Sequence, residues 1–461
     1  MLCGCGRWAR DSHLPVIAKM SPDVRLTHVF EVKSECPNVR SALREKGIPN
    51  WRQVKVVPAG RNFPLEARPD PESVDACIVA TISEQHYPYI QWALKNGIHT
   101  LSDKPLTFRS GATTDETKAD KLVKDYDELL ALSGTGRTPL FMLATQKRYQ
   151  WAFNRLAERI ASVSSVTGQP VTSIDLSTSD GFWLLPSEYE KMDTYDRGGG
   201  KMTHTGYHFL DIAPWLMRHS SISDGNSITH AFVTANLYRP SDSVSVRNNR
   251  QIGKFMHLSD PEKTVSLSNK MGEINSFVQV KFCRNKDFVT SVNFTLQHDG
   301  LSLRTKEDAG EFYYGKGRTK IDHMMITMGP LFSARFSRIA KMIDPDGFSE
   351  VGARKHCELV FMSNDLTGLQ RIEKLYPGSV ETFEGCGDDE LPTTDFLEAL
   401  LDPSRRSSVL SPVSDHRIGI LLLSAACRSA ALSHQTSDGC PVPVRIDFSK
   451  KDWQTPPSFQ P

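Results

Sequence analysis

From the N-terminus, short apolar runs alternate with stretches whose apolar residues recur at helical spacing, the pattern of parallel β/α construction. Leu2-Cys3 leads into Gly4-Cys5-Gly6, and the next segment carries Leu14, Ile17 and Ala18 on one helical face. Residues 24–30 alternate and end at Glu31, as a second strand would, and Val54-Lys55-Val56-Val57 supplies a third. Cys77-Ile78-Val79-Ala80 is apolar enough for a strand covered on both faces. Tyr89, Ile90, Ala93 and Leu94 share a helical face that stops at Gly97, a residue suited to the left-handed position after a helix. Residues 98–101 give a fifth strand, ending at Asp103-Lys104-Pro105. Past a polar insertion at 108–119 and another helix, Leu140-Phe141-Met142-Leu143 gives a sixth. Six strands in this order predict a dinucleotide-binding Rossmann domain over residues 1–146.

The pattern then changes. Ser173-Ile174-Asp175-Leu176 and residues 230–237, 277–282 and 289–296 alternate polar and apolar positions. Such strands suit a sheet with one face on helices and the other exposed or paired with another subunit. Helices are expected at 395–401 and 414–430, the latter with Ile418, Leu421, Leu422, Ala425 and Ala426 on one face. Residues 239–272 are polar, rich in Ser, Asn and charge, and predict a long loop. The reading is a second α/β domain over 147–440, built on a large, mostly antiparallel open sheet, then a C-terminal strand and tail at 441–461. The tail is placed from Trp453 onward.

Composition narrows the function. A chain of 461 residues has room for two or three domains. Its 39% hydrophobic and 24% charged content is ordinary for a globular protein. A net charge of +1 leaves no electrostatic footprint for nucleic acid or an anionic membrane, which favours a small-molecule partner. The most apolar window, 418–427, is half the ~20 residues a membrane span needs, and no basic segment followed by an apolar run opens the chain. The nine cysteines stand singly apart from Cys3 and Cys5, with no C-x-x-C pair, which argues against a disulfide framework or zinc ribbon. A cytoplasmic protein in a reducing compartment is the expectation.

Gly4-Cys5-Gly6-Arg7-Trp8-Ala9 fits the phosphate-binding turn G-x-G-x-x-[GA]: a tight turn, close backbone approach to a pyrophosphate, then a helix N-terminus that attracts the anion. Glu31 ends the next strand, where a carboxylate can take ribose hydroxyls. Only three residues precede Gly4, so the first strand reads as clipped, from a start placed too late or a shortened form with weakened cofactor binding. Lys104 stands at the carboxyl edge of the sheet, where ligands bind, although a surface lysine before a turn proline has the same signature. A glycine run at 198–200 opens a helix in which His204 and His208, four apart, share a face. One imidazole could be a general base near neutral pH. The same spacing is half a metal site, but no Glu completes H-E-x-x-H and no metal is expected; two hydrogen-bonded helix histidines is the plain alternative.

Together these pieces resemble the glucose–fructose oxidoreductase, inositol dehydrogenase and rhizopine catabolism (Gfo/Idh/MocA) family. The resemblance rests on the Gly4–Ala9 turn, Val74-Asp75-Ala76-Cys77-Ile78-Val79-Ala80-Thr81 with His86, Asp103-Lys104-Pro105, Gln146-Lys147-Arg148-Tyr149 and residues 198–211. It implies a bound NAD or NADP, contacted by Gly4, Gly6, Arg7, Trp8, Glu31, Ala80, Thr81, His86, Asp103, Lys104 and Gln146. Glu31 favours NAD by repelling a 2′-phosphate, while Lys33 and Arg7 leave NADP open. The resemblance makes Lys104 the contact to substrate and nicotinamide, and His208 the proton acceptor. Asp103 stands where the family carries Glu, and His204 where it carries Asp. A protonated His204 would depress the pKa of Lys104 and His208. Arg148, Tyr149 and Tyr195 join His204 and His208 as implied substrate contacts. The implied activity is dehydrogenation or reduction of a sugar, polyol or similar molecule by a homodimer or homotetramer. The alternatives are a non-catalytic NAD(P)-binding sensor or regulator and a redox-neutral NAD-dependent glycosidase.

Overall fold

The computed structural model describes residues 1–59, 68–134, 138–181, 195, 199–221, 227–239, 242, 251, 272–298, 300, 319–341, 356–369, 378–384, 389–436 and 440–454. The first sheet holds β1 (Leu2–Cys3), β2 (His28–Glu31), β3 (Lys55–Pro58), β4 (Ala76–Val79), β5 (His99–Asp103) and β6 (Phe141–Ala144) in the order β3-β2-β1-β4-β5-β6, every pair parallel. This is the expected doubly wound order, with its switch point between β1 and β4. Though only two residues long, β1 is central. Leu2 pairs with both Val29 and Ile78, and the Met1 ammonium donates to Ala76 O at 2.8 Å.

Helices α1 (Leu14–Lys19), α2 (Cys36–Glu45), α3 (His86–Lys95) and α4 (Glu116–Ser133) cover this sheet. The two faces of β1 feed two cores: Leu2 packs with Ile17, Val29, Leu43 and Ile78, and Cys3 with Phe30, Val79 and Tyr89. The alternation that sends successive side chains to opposite faces thus makes the strand apolar throughout.

The second sheet is larger. It comprises β7 (Ser173–Ser179), β8 (His230–Tyr238), β9 (Asn275–Arg284), β10 (Asp287–Gln297), β11 (Thr319–Met328), β12 (Phe332–Lys341), β13 (His356–Ser363), β14 (Ser379–Glu384) and β15 (Val444–Asp447). The order is β14-β13-β12-β11-β7-β10-β9-β8-β15, antiparallel except between β7 and β10. Its inner face carries α5 (Trp151–Thr167), α6 (Tyr207–Met217) and α8 (Arg417–Ser433), with Phe153 of α5 on Phe336 at a ring separation of 5.1 Å. The hydropathy pattern left α5 and β11 to β14 without elements. In β11 the reason is visible: Lys320 and Asp322 occupy the same strand face as the apolar Met324 and Ile326, and break the alternation.

Helix α7 (Leu391–Leu401) returns to the first sheet: Phe396, Leu397 and Ala399 join the core of Leu2 and Ile78, and His13 Nδ1 lies 2.7 Å from Thr393 Oγ1. Leu143 N donates to Ser411 O at 3.0 Å, so this stretch seams the two sheets together. Most of the 239–272 loop lies outside the described residues, as do residues 455–461. Cys357 of β13 is disulfide-bonded, a bond that the scattered cysteine spacing, read as arguing against a disulfide framework, did not signal. No helix among the described residues is long and apolar enough to cross a membrane.

Trp453 departs from its placement in a tail. It closes a short helix, Lys450–Trp453, whose Ser449–Asp452 capping box fixes the turn, and it is fully buried against Phe282 and Phe448. A Trp453→Ala variant is expected to lose about 3–5 kcal/mol of unfolding free energy, measured by urea titration of the fluorescence of the remaining tryptophans. An unchanged midpoint would return this segment to the status of a tail.

Candidate active site

The turn after β1 has the geometry that the glycine spacing implies. Gly4 has φ +87°, and a Cβ there would stand 2.4 Å from Ala80 O, so only glycine permits this approach of β1 to β4. Gly6 is the opposite case, since a Cβ there would meet nothing within 4 Å. Open space over backbone at a helix N-terminus is what a pyrophosphate needs, and the residues present therefore fit a dinucleotide. The Glu31 carboxylate reaches back to this turn, accepting from Cys5 N at 2.5 Å and Val32 N at 2.8 Å. It is held where ribose hydroxyls would approach.

Two more of the residues that the resemblance assigns to the cofactor, Asp103 and His86, gather about the carboxyl ends of β4 and β5. Asp103 Oδ1 accepts from Trp8 Nε1 at 3.3 Å and lies 3.3 Å from His13 Nε2, so it ties β5 to the turn helix. His86 is buried between Thr81 O, 2.9 Å from Nε2, and Pro105 O, 3.0 Å from Nδ1. Burial lowers its pKa, and the neutral ring can donate to one carbonyl at a time. It clasps the loops that carry Ala80-Thr81 and Lys104. Arg7 is exposed at the rim, 3.6 Å from Asp11, and Gln146 starts the buried turn after β6.

The opposing wall begins at Gly200, where a Cβ would lie 2.0 Å from Glu273 O. Gly198 of the predicted run lies outside the described residues. Glu273 Oε1 accepts from Met202 N at 2.9 Å, and burial pushes its carboxyl up to about 7. The helix predicted here does not open as α-helix: Met202–Gly206 is a π-helical stretch that runs into α6. Wide turns of this kind recur at functional sites because they re-aim side chains and carbonyls.

That turn brings the two domains into contact. Lys104 Nζ donates to His204 O at 2.5 Å. One turn further on, the His208 imidazole is held well below its ordinary pKa, first by burial and then by the charges of Lys104, Lys147 and Lys320, with Asp211 opposing. Its Nδ1 is buried and without a hydrogen-bond partner. A neutral imidazole and a lysine ammonium therefore share one site at the carboxyl end of β5. Tyr195 stands edge-on to His204 with ring centroids 6.1 Å apart, and its hydroxyl bonds the buried His298 Nε2. His298 is an addition that no motif signalled.

Arg148 and Tyr149 are not brought to this site. The fully buried Arg148 guanidinium donates to both carboxylate oxygens of Asp211, Nε at 2.9 Å and Nη2 at 2.7 Å. Tyr149 OH donates to Asp395 Oδ2 at 2.8 Å. Their polar groups hold elements together in this structure.

Residues 1–128 match the model of an oxidoreductase family with an NAD-binding Rossmann fold, GFO_IDH_MocA. No curated protein matches the chain by sequence. Solved structures share its fold over nearly the whole length. The transcriptional regulator Gal80p from Kluyveromyces lactis is 13% identical, with a TM-score of 0.56 over 97% of this chain and 90% of that one. The WlbA dehydrogenase from Bordetella pertussis, in complex with NADH and UDP-GlcNAcA, is 14% identical, with a TM-score of 0.54 over 97% and 98%. An oxidoreductase from Agrobacterium radiobacter, in complex with NAD+, L-tartaric acid and magnesium, is 13% identical, with a TM-score of 0.52 over 97% and 97%.

Gly6 separates cofactor binding from folding. Because its Cβ position is open, Gly6→Val should melt within a few degrees of the parent yet bind NADH at least tenfold more weakly, read from nicotinamide fluorescence on titration. Undiminished NADH affinity would remove the turn from the cofactor site.

Proposed function

We propose that this chain, whose first domain is the NAD-binding Rossmann fold of the Gfo/Idh/MocA oxidoreductases, catalyses reversible hydride transfer between a nicotinamide and a hydroxyl-bearing carbon of a sugar, polyol or related small molecule. The observation that carries the reading is the contact of Lys104, after the carboxyl end of β5, with the main chain of His204, together with a neutral His208 on which the charge of Lys104 acts.

Gly4, Gly6, Glu31, Thr81 and Lys104 would hold the dinucleotide, which when bound supplies or accepts the hydride at its nicotinamide ring. His208 takes the proton of the substrate hydroxyl during oxidation and returns it during reduction, a task its depressed pKa suits, since the ring is unprotonated at neutral pH. Lys104 donates a hydrogen bond to the same oxygen as negative charge develops there. His204 and Tyr195 border the substrate, and His86 keeps the Lys104 loop in place through Pro105 O.

A regulator that binds the dinucleotide without turnover is the second reading, favoured by an imidazole at 204 where the resemblance expects a carboxylate. Dinucleotide binding with no change in nicotinamide absorbance across a panel of sugars, polyols and their acids would support it.

For the enzyme, His208→Ala should lower kcat by ~10²–10⁴ while NADH affinity stays within twofold. At saturating substrate, kcat for oxidation should be flat across neutral pH and fall only in acid, because the base works unprotonated and its pKa lies below the usual ~6.5. A limb in kcat above neutrality, or undiminished turnover by the variant, would exclude His208 as the base.

The outer face of the second sheet exposes Phe232, Phe277, Phe288, Ile339, Met362 and Val380, at 37–64% relative accessibility. An apolar surface of this kind suits self-association. A homodimer or homotetramer built on this face is expected by light scattering after size exclusion, and Phe288→Lys with Val380→Lys should yield monomers. A monomeric parent would refute it.

A further inference from the structure

Lys147 is a lysine in an unusual place. It follows β6 directly, is only 4% exposed, and runs its stem between two aromatic rings, with Nζ 4.9 Å from the centroid of Phe153 and 4.3 Å from that of Phe209. The charge of Lys147 acts on the imidazole of His208, which precedes Phe209. Among the described residues Lys147 Nζ has no hydrogen-bond acceptor, and its ion-pair partner, Asp322 Oδ2, is 3.7 Å away.

That oxygen is shared. Arg338 Nη1 stands 3.4 Å from it, and the other Asp322 oxygen accepts from Thr178 Oγ1 at 2.6 Å. Asp322 is 1% and Arg338 8% exposed. Two buried cations thus draw on one carboxylate, and Arg338 is the closer claimant. A buried ammonium whose carboxylate partner is distant and shared with a second cation is costly, and such a group gains when something of opposite charge comes to it. A neutral polyol offers hydroxyl oxygens but no charge.

We propose that Lys147 receives an anionic group of the substrate, a carboxylate or a phosphate ester, so that the molecule handled beside His208 is a sugar acid or sugar phosphate rather than a neutral polyol. This rests on the hydride-transfer reading for the word substrate, but not for the binding site. Lys147 with Arg338 behind it receives the anion, and Phe153 and Phe209 exclude water from the pair. The carbon to be oxidised is then placed against His208 and Lys104 by the distance between the anion and that carbon, which selects among substrates of different length.

The site also carries a pH signature. Burial lowers the Lys147 ammonium to about 7, opposed by Asp322 and assisted by Arg338 and Lys320. The charged groups facing it are Asp322 and Lys320 of β11, Arg338 of β12 and His208 of α6, and of these Asp322, held low, and His208, held neutral, keep their charge state between pH 7 and 9. An anion beside Lys147 favours its protonated form, so anion affinity should fall as pH rises through and above 7.

The test is calorimetric titration of the NADH-loaded protein with D-glucuronate, D-glucose 6-phosphate and D-glucose at pH 7 and pH 9. The acid or the phosphate should bind at least tenfold more tightly than glucose at pH 7. The margin should shrink several-fold at pH 9, while glucose affinity holds. Whichever of the two anions binds tells carboxylate from phosphate. Lys147→Met, which keeps an apolar stem between the two rings, should bind NADH normally and erase the margin. Glucose binding as tightly as both anions, no anion binding at millimolar concentration, a margin unmoved by pH, or a margin intact in Lys147→Met would each overturn the proposal. Anion preference without reduction of NAD by any panel member would sink the hydride-transfer reading and leave the anion site. NAD reduction by neutral polyols alone would do the reverse.

Discussion

The site depends on a buried ion pair that never touches it. Arg148 stands immediately after β6 of the first sheet, and Asp211 lies on α6, three residues past His208. Neither has meaningful contact with water, at 0% and 2% exposure, and each would be untenable alone. Bidentate geometry resolves this, and His416 braces the pair: its Nδ1 lies 2.8 Å from Asp211 Oδ1 and its Nε2 2.8 Å from Ser411 Oγ. The Arg148 charge holds the Asp211 carboxyl far below the usual carboxylate range. Because that folded-state pKa is depressed, the stability it confers is present above the ordinary carboxylate pKa and is lost only in strong acid. The register of α6 against the first sheet, and so the approach of His208 to Lys104, is fixed at any pH where the base could function.

The same logic of burial sets the chemistry. Lysines 104, 147 and 320 all act on the His208 ring, and Asp211, committed to Arg148, opposes them. A histidine in solution is poised near neutrality; here it is driven firmly to the unprotonated side, which makes a ready acceptor and a poor reservoir. On the cofactor side, carboxylates hold structure in place: Glu31 accepts from the turn backbone, and Asp103 accepts from Trp8 and neighbours His13. Division of labour by sign follows, with anions shaping the glycine turn after β1 and cations acting on His208.

Much of this was readable in the chain. The Gly4–Gly6 spacing, the strand order and the carboxyl-edge position of Lys104 follow from local rules: backbone sterics at one glycine, open approach at another, and the right-handed β/α crossover. Motif matches failed where side-chain direction mattered. Arg148 and Tyr149 occupy the segment that the resemblance marked, yet both point to Asp211 and Asp395, because a motif fixes a position on the chain and not the rotamer chosen by distant partners. Residues 320 and 322 concealed β11, since buried charge on a strand's core face defeats a hydropathy pattern. Lys147 was invisible for the complementary reason. A lone lysine reads as surface by default, and only the packing of Phe153 and Phe209 around it shows otherwise. The π-helical turn left no sequence signal apart from its glycines.

The departure at position 204 is best understood through that turn. Lys104 bonds the main-chain oxygen of His204, an atom every residue supplies, so exchanging a carboxylate for an imidazole leaves the lysine anchored. The consequence falls on charge instead. An aspartate at 204 would have placed a negative group at the mouth of a site already ringed by ammonium groups, repelling an anionic ligand and welcoming hydroxyls. With histidine there, that repulsion is gone, and protonating it only strengthens the attraction for an acid. On the proposed reading, the substitution that departs from the resemblance is the one that a site selecting anions requires, and specificity then lies in electrostatics more than in shape.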